Sequence, residues 1–301
     1  MKTNKLTYTF KSDLLFKMIF VKHPNLLKRL VSVLLKIPLE SINEFELLNT
    51  EIPPEEIGKK FCRLDIQMDV DGKRVDLEIQ VEDEGNYPER SMFYWARVFA
   101  ASLPAGEDYF KLPKAIVISI LGFNQFDCEE VHSEFAPLEV NRYELLSDKM
   151  RFHFFELKKL PSIDFIDTTN EEELWLALFN AETEEELDKL VEDGGEVMAQ
   201  AVEAYKDVTA MDEFKILALR RDMQKHDEAQ ALGNAERKGA AVERMKWEGV
   251  VAEKDEVILE KDEALSKKDE ALSKKDEVIL NKETEIELLL EKIKRLENNK
   301  I

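Results

Sequence analysis

The segment from Arg63 to Gln80 constrains the fold of this chain more than any other. Its residues, RLDIQMDVDGKRVDLEIQ, alternate between apolar and polar on both sides of Asp71-Gly72, a dipeptide typical of a two-residue hairpin turn. Such a turn pairs Val70 with Lys73 and thereby fixes the register of both strands. We therefore predict a β-hairpin at about residues 62–70 and 73–82, with one apolar face.

The polar face of this hairpin brings two acids together. The predicted register places Asp65 directly opposite Glu78, with Gln80 next along the same face. Like charges in that arrangement are destabilising, whereas a divalent cation requires carboxylate oxygens of this kind. The residues therefore suggest a metal site, and the alternative is an amphipathic hairpin whose acidic face is simply solvated.

Charge and hydropathy narrow the class of protein. The net charge of −21 divides into −4 for residues 1–160 and −17 for residues 161–301, so the acidity belongs mainly to the second half. No apolar run reaches 18 residues and the N-terminus lacks the apolar segment of a signal peptide, so we expect a cytoplasmic protein with no membrane partner. In that compartment Cys62 and Cys128 are expected to be buried, reduced thiols.

The order of predicted elements indicates an α/β fold with a mixed sheet. Helical patterns precede the hairpin, and another follows it from residue 88 to about residue 103. The β-branched run Ala115–Leu121 reads as a strand buried on both faces, with further strands predicted at 45–48, 131–135 and 151–157. After Pro161 the pattern becomes helical, at 171–180, at 183–193 with capping-box spacing between Thr183 and Glu186, and at 196–232. These patterns predict helices on the faces of the sheet.

The C-terminal segment repeats every seven residues. We divide the chain into a domain at 1–160, a helical accessory region at 161–240 and a heptad-repeat tail at 241–301. One stripe of the tail is apolar throughout, whereas its companion stripe holds lysines before ending in leucines; the apolar stripe is Ile258, Leu265, Leu272, Ile279, Ile286 and Ile293, and the companion stripe is Lys261, Lys268, Lys275, Lys282, Leu289 and Leu296. A parallel coiled coil that makes a homodimer, a solvated charged helix and disorder all remain open.

Several motifs together resemble the PD-(D/E)xK nuclease superfamily, over about residues 10–160. Asp65, followed after thirteen residues by Glu78-Ile79-Gln80, resembles its D…E-x-K signature. The match is closer to the Rpn-type recombination-promoting nucleases, which are also described as transposases. The other matching segments, in chain order, are Asp13-Leu-Leu-Phe-Lys17-Met-Ile-Phe, Leu64-Asp65-Ile66, Glu89-Arg90 with Tyr94 and Arg97, Ile116-Val-Ile-Ser-Ile and Phe155-Glu-Leu-Lys-Lys-Leu-Pro161.

The resemblance implies a restriction-endonuclease-like fold and hydrolysis of DNA with Mg²⁺ or Mn²⁺. Asp65 and Glu78 would then bind the metal, and Gln80 would orient the attacking water. Two departures matter: Gln80 stands where the superfamily usually has lysine, and no proline precedes Asp65. Relatives in this branch also tend to carry glutamine there, but a glutamine supplies only a dipole where a lysine supplies a charge.

Four more residues are weaker site candidates. An acid on the first helix joins the metal site in parts of the superfamily, so Asp13 is a possible third ligand, although it could equally cap its helix. Lys17, Arg90 and Arg97 are candidate DNA phosphate contacts, and ordinary solvation or ion pairing would explain them as well. Phe93 and Trp95 are expected in the core, and the histidines show no partner spacing.

Two functions follow from these residues. The first is a metal-dependent DNA endonuclease that hydrolyses phosphodiester bonds and promotes recombination. The second is a catalytically inactive nuclease-fold protein that interacts with partners through its coiled-coil tail. Metal binding at Asp65 and Glu78 distinguishes them, because only the first requires it.

Overall fold

The computed structural model describes residues 4–48 and 66–298, with side chains up to residue 294. Asp65, Cys62 and the side chain of Leu296 therefore lie outside the described part. In chain order the elements are α1 (Asp13–Lys22), α2 (Pro24–Leu34), β1 (Phe45–Leu47), β2 (Ile66–Val70), β3 (Lys73–Gln80), α3 (Tyr87–Ala101), β4 (Ala115–Leu121), β5 (His132–Phe135), β6 (Met150–Glu156), α4 (Glu171–Asn180), α5 (Glu184–Ala210) and α6 (Asp212–Asn298).

Within these residues, six strands form one mixed sheet in the order β1-β2-β3-β4-β6-β5. The pairs β1–β2, β2–β3 and β5–β6 are antiparallel, whereas β3–β4 and β4–β6 are parallel. Parallel strands require a crossover connection, and α3 provides the one between β3 and β4. The predicted mixed sheet with helices on its faces is confirmed.

The β2–β3 hairpin has the predicted register. Val70 pairs with Lys73 and Ile66 with Leu77, as the two-residue turn requires. Asp71 and Gly72 both have positive φ, at 50° and 73°, which is the conformation of a type I′ turn. The Asp71 carboxylate accepts hydrogen bonds from the amides of Glu44 and Asn43, and these bonds lower the pKa of Asp71.

The main core lies on one face of the sheet. Val75 and Leu77 of β3 point into it, together with the buried faces of α1, α2, α4 and α5. Helix α5 begins with a capping box between Thr183 and Glu186, as predicted. Since α4 and α5 pack into the same core as the sheet, the helices after residue 170 complete the buried layer that the strands begin. The predicted boundaries at about residues 160 and 240 stay a prediction.

The other face carries a second, smaller apolar cluster beneath α3. Tyr87 and Trp95 from α3 pack against Val117 of β4 and against Phe152 and Phe154 of β6. This face also holds the alternate side chains of β3, which are polar rather than apolar. The polar side chains of β3 therefore lie beside the smaller apolar cluster and not in the main core.

One helix prediction needs correction, and a neighbouring one is confirmed. The predicted helix at 196–232 is wrong as one element, because α5 ends at Ala210 and Met211 has extended backbone angles before α6 starts at Asp212. The predicted separation between the helices at 183–193 and 196–232 is confirmed, because α5 has a kink there and Gly195 has non-helical backbone angles of φ 60° and ψ −145°.

The chain divides into two compact units, Met1–Arg221 and Asp222–Ile301. In the second unit, α6 carries the predicted apolar heptad stripe, and its leucines and isoleucines are exposed by 51–61%. The helical periodicity of the tail is thus confirmed, whereas the coiled-coil dimer stays a prediction. No helix in the described part of the chain is both long enough and apolar enough to cross a membrane.

Candidate active site on strand β3

Three polar side chains alternate along the α3-facing side of β3. Asp76 and Glu78 are only 2% and 5% exposed, and Gln80 is half-buried at the end of the strand. Carboxylates are rarely buried this deeply in a central strand unless they are paired, because removing a charge from water is costly. The concentration of acid on this face therefore marks β3 as the candidate active-site strand.

Glu78 is held by groups from two other elements. The Tyr87 hydroxyl donates to Glu78 Oε2 over 2.8 Å, and the same hydroxyl lies 2.9 Å from Ser119 Oγ. Ser119 stands opposite Glu78 in the parallel register of β3 and β4. Glu78 thus occupies a defined position fixed by β4 and by the first turn of α3.

Gln80 lies two residues further along the same face. Its amide nitrogen donates to the Glu82 carbonyl over 2.7 Å, which orients the side chain at the point where the chain leaves the sheet. The alternation that the sequence predicted, with Glu78 and Gln80 on one face, is what β3 shows.

The first turns of α3 supply one positive charge beside this face. The Arg90 guanidinium donates to Glu84 Oε2 over 2.6 Å, and its central carbon lies 4.8 Å from the centre of the Tyr87 ring. Its Nε and Nη2 atoms are buried and have no hydrogen-bond partner within residues 4–48 and 66–298. These two nitrogens form the edge with which arginine binds an oxyanion by two parallel bonds.

Arg97 lies further along α3 and is exposed. Its guanidinium lies 5.9 Å from the centre of the Phe93 ring. Phe93 is 61% exposed, so the prediction of a core position for this residue is wrong. Trp95, two residues on, does pack into the smaller apolar cluster, because α3 turns only one side toward the sheet.

The candidates on α1 have different surroundings. Ser12, not Asp13, caps α1, and Asp13 forms an ion pair with Arg221 at the start of α6. Lys17 is only 2% exposed, which is unusual for a helix lysine and indicates a partner for its ammonium group. Both residues belong to the helix that packs on the main core, and their assignment to the site stays a prediction.

The donor set on β3 fits a hard cation. Asp76, Glu78 and Gln80 supply carboxylate and carboxamide oxygens, the ligand type that Mg²⁺ and Mn²⁺ prefer. Within the described ranges no group of three or more histidine, cysteine, aspartate or glutamate side chains converges as a metal site. Asp65, the second predicted ligand, lies outside the described residues, so the predicted Asp65–Glu78 pair stays a prediction.

Asp76 is the residue that sequence reasoning missed at this site. No role was predicted for Asp76 from the sequence, and the structure pairs it with Gln67 across β2 and β3. The run Asp76-x-Glu78-x-Gln80 contained the signal, since a strand places all three residues on one face.

A histidine pair at the edge of the sheet was also missed. His132 Nε2 and His153 Nδ1 are 3.0 Å apart, and the His132 ring stacks on Phe155. Burial lowers the pKa of His153 to about 4, and burial also lowers the pKa of His132. The two residues are 21 positions apart, so only the β5–β6 pairing brings them together.

A second missed cluster surrounds the end of β6. Glu156 is fully buried, accepts from the amides of Gln125 and Phe126, and pairs with Lys159 over 2.6 Å. Lys159 also contacts the thiol of Cys128 over 3.2 Å. Cys128 is exposed, so the prediction that it is buried is wrong for this cysteine.

Comparison with known proteins identifies the family. The model of the PD-(D/E)XK nuclease family transposases matches residues 10–235 of the 301-residue chain. Neither a curated protein nor a solved structure matches the chain significantly. The matched region contains every strand of the sheet and the polar face of β3. The chain therefore belongs to the PD-(D/E)XK nuclease family of transposases.

Proposed function

We propose that this protein is a metal-dependent DNA endonuclease that hydrolyses phosphodiester bonds and acts in DNA recombination. The observation that carries the proposal is the buried carboxylate of Glu78, which the Tyr87 hydroxyl holds on the polar face of β3. The chain that presents this carboxylate belongs to a nuclease family. The proposal includes a cytoplasmic location, where a recombination enzyme would reach the DNA of the cell.

The proposed ligands of the cation are Glu78 and Asp65, with Mg²⁺ or Mn²⁺ as the ion. Such an ion, when bound, lowers the pKa of a water molecule and offsets charge on the scissile phosphate. Gln80 would orient the attacking water through its carboxamide, which can both donate and accept. Asp76 lies on the same face of β3 and adds negative charge that favours a cation. Asp13 remains a weaker candidate ligand because it is paired with Arg221.

The proposed DNA contacts are Arg90, Arg97 and Lys17. Arg90 has the strongest support, because its Nε and Nη2 atoms have no hydrogen-bond partner within the described ranges and a phosphate would accept from both. Both atoms are enclosed, so this contact requires the groups that cover them to move aside. Arg97 is exposed on the same helix and could contact a DNA phosphate without any movement of neighbouring groups.

The proposed assembly is a homodimer formed by the heptads of α6. The support is the continuous apolar stripe from Ile258 to Ile293, which is exposed in a single chain and would be buried between two. Light scattering on the full chain tests this assembly. A monomer at all concentrations would rule it out.

Plasmid nicking tests the proposed activity. Supercoiled DNA is incubated with Mg²⁺ and the wild-type protein, or with the charge-neutralised variants Glu78→Gln and Asp65→Asn. We expect each variant to lose at least about a hundredfold in rate, since even partners of metal ligands are worth that much. Glu134→Gln is the matched control, because Glu134 is also a strand glutamate but pairs with Arg151 at the edge of the sheet.

Two results would exclude the assignment. Robust cleavage by either neutralised variant would remove Asp65 and Glu78 from the mechanism. Absence of Mg²⁺ and Mn²⁺ binding by calorimetry, together with an intact fold, would instead favour the inactive interaction protein that acts through α6.

A further inference from the structure

Tyr87 connects the start of α3 to the candidate metal ligand. It is the first residue of α3 and is 1% exposed. Its hydroxyl contacts Glu78 Oε2 at 2.8 Å and Ser119 Oγ at 2.9 Å. Three polar groups from three consecutive elements, β3, α3 and β4, therefore meet beside the smaller apolar cluster.

Valence determines the direction of these hydrogen bonds. An ionised carboxylate can only accept, and a phenol has a single proton, so that proton belongs to the bond with Glu78. The Ser119 hydroxyl then donates to the phenol oxygen. Ser119 is fully buried opposite Glu78, so its hydroxyl needs a partner inside the protein, and the phenol oxygen lies within reach to accept from it.

Packing fixes the Tyr87 ring. Phe123 and Phe154 contact it edge to face, with ring centres 6.1 Å and 6.2 Å away, and the Arg90 guanidinium lies over its surface. These contacts leave the hydroxyl little freedom to turn away from Glu78. The hydroxyl that donates to Glu78 therefore belongs to a ring held by the smaller apolar cluster, not to a mobile surface side chain.

We propose that Tyr87, supported by Ser119, is a positioning residue for cation binding by Glu78, an inference that rests on the proposed function. By engaging Oε2, the phenol fixes the rotamer of the carboxylate before the cation arrives. The hydrogen bond occupies one lone pair of Oε2, so Tyr87 also favours cation binding through Oε1. Groups that orient metal ligands in this way typically contribute about tenfold to a hundredfold in metal affinity.

Calorimetric titration with Mn²⁺ tests the proposal on the full-length chain. Tyr87→Phe keeps the ring and removes only the hydroxyl, and we expect about tenfold weaker Mn²⁺ binding. Plasmid nicking by this variant should recover toward the wild-type rate when Mn²⁺ is raised to saturation, because the ligand remains and only its orientation is lost. Ser119→Ala, which leaves the phenol in place, should weaken Mn²⁺ binding by about threefold.

Tyr205→Phe is the matched control. The Tyr205 hydroxyl is also enclosed and donates to the Tyr8 carbonyl over 2.7 Å, but it belongs to the main core. This variant should lose a comparable hydrogen bond without any change in Mn²⁺ affinity. If Tyr87→Phe does not fold, Ser119→Ala alone decides the question.

The outcomes separate this inference from the proposed function. Wild-type protein that binds no Mn²⁺ would overturn both. Wild-type protein that binds Mn²⁺, with Tyr87→Phe and Ser119→Ala binding equally well, would overturn the positioning role alone. Equal weakening by Tyr87→Phe and Tyr205→Phe would overturn it too, because the effect would then come from general loosening of the fold.

Discussion

His153 makes the stability of this fold depend on pH in a direction that can be worked out. Its side chain is buried beside His132, with Nδ1 3.0 Å from the His132 Nε2 atom. Burial is the main reason why the pKa of His153 falls from 6.5 to about 4, and the nearby His132, Lys114 and Arg151 act in the same direction, while Glu134 opposes them. The folded protein therefore holds His153 neutral at a pH where the unfolded chain protonates it.

The sign follows from proton binding. Between about pH 6.5 and pH 4 the unfolded chain binds a proton at residue 153 that the folded protein does not, so the free energy of unfolding falls as the pH falls. The contribution is fully present above pH 6.5 and is lost on the way down to the folded pKa. Lowering the pH from about 7 to about 5 should cost about 2 kcal/mol through His153 alone. His132 adds to the loss, since its pKa is lowered as well.

Urea unfolding of the wild type and of His153→Gln measures this loss. Tryptophan fluorescence, which reports on the buried Trp175, gives the free energy of unfolding at each pH. The difference in free energy between pH 7 and pH 5 should be about 2 kcal/mol smaller in the variant, because glutamine does not titrate. His23→Gln is the control, since His23 lies at the end of α1 and away from the pair. If the two proteins lose stability in parallel, burial of a neutral His153 is not the cause.

Three further changes test the packing of the first unit by urea unfolding. Glu156→Gln should cost about 3 kcal/mol, because it leaves the enclosed ammonium of Lys159 without its charge partner; a cost below about 1 kcal/mol would contradict that reasoning. Gly194→Ala should cost about 1–3 kcal/mol, because the added methyl would lie 2.9 Å from Met198 Cβ in the core, and an unchanged midpoint would show that α5 can shift. Thr183→Ala should cost about 1 kcal/mol through loss of the α5 cap, whereas Thr183→Ser should cost little.

The sequence predicted the hairpin and its polar face because both are local. The Asp71-Gly72 turn sets the register, and strict alternation then places Glu78 and Gln80 on one side. The capping box of α5 and the buried strand β4 are local signals of the same kind. Features that depend on residues close in sequence were therefore predicted, including the common face of Glu78 and Gln80.

What the sequence did not predict depends on long-range pairing. The contact between His132 and His153 needs the β5–β6 ladder, and the exposure of Phe93 depends on which side of α3 meets the sheet. The break at Met211 is different, because Met211 is an ordinary helix former and the acids Asp212 and Glu213, which open α6, were the only local signal of a new helix.

The Tyr87–Glu78 contact depends partly on local sequence and partly on long-range strand pairing. Residues 81–86 are too short a connection for α3 to begin far from the end of β3, so the first turn of the helix must return over that strand. The parallel pairing of β3 with β4 then places α3 over both strands, where Tyr87 contacts the residue pair Glu78 and Ser119. The sequence predicted the strand–helix–strand order, but it did not predict that the two strands are parallel neighbours. Once that pairing is known, a tyrosine at the first helical position is the side chain best placed to hold the glutamate.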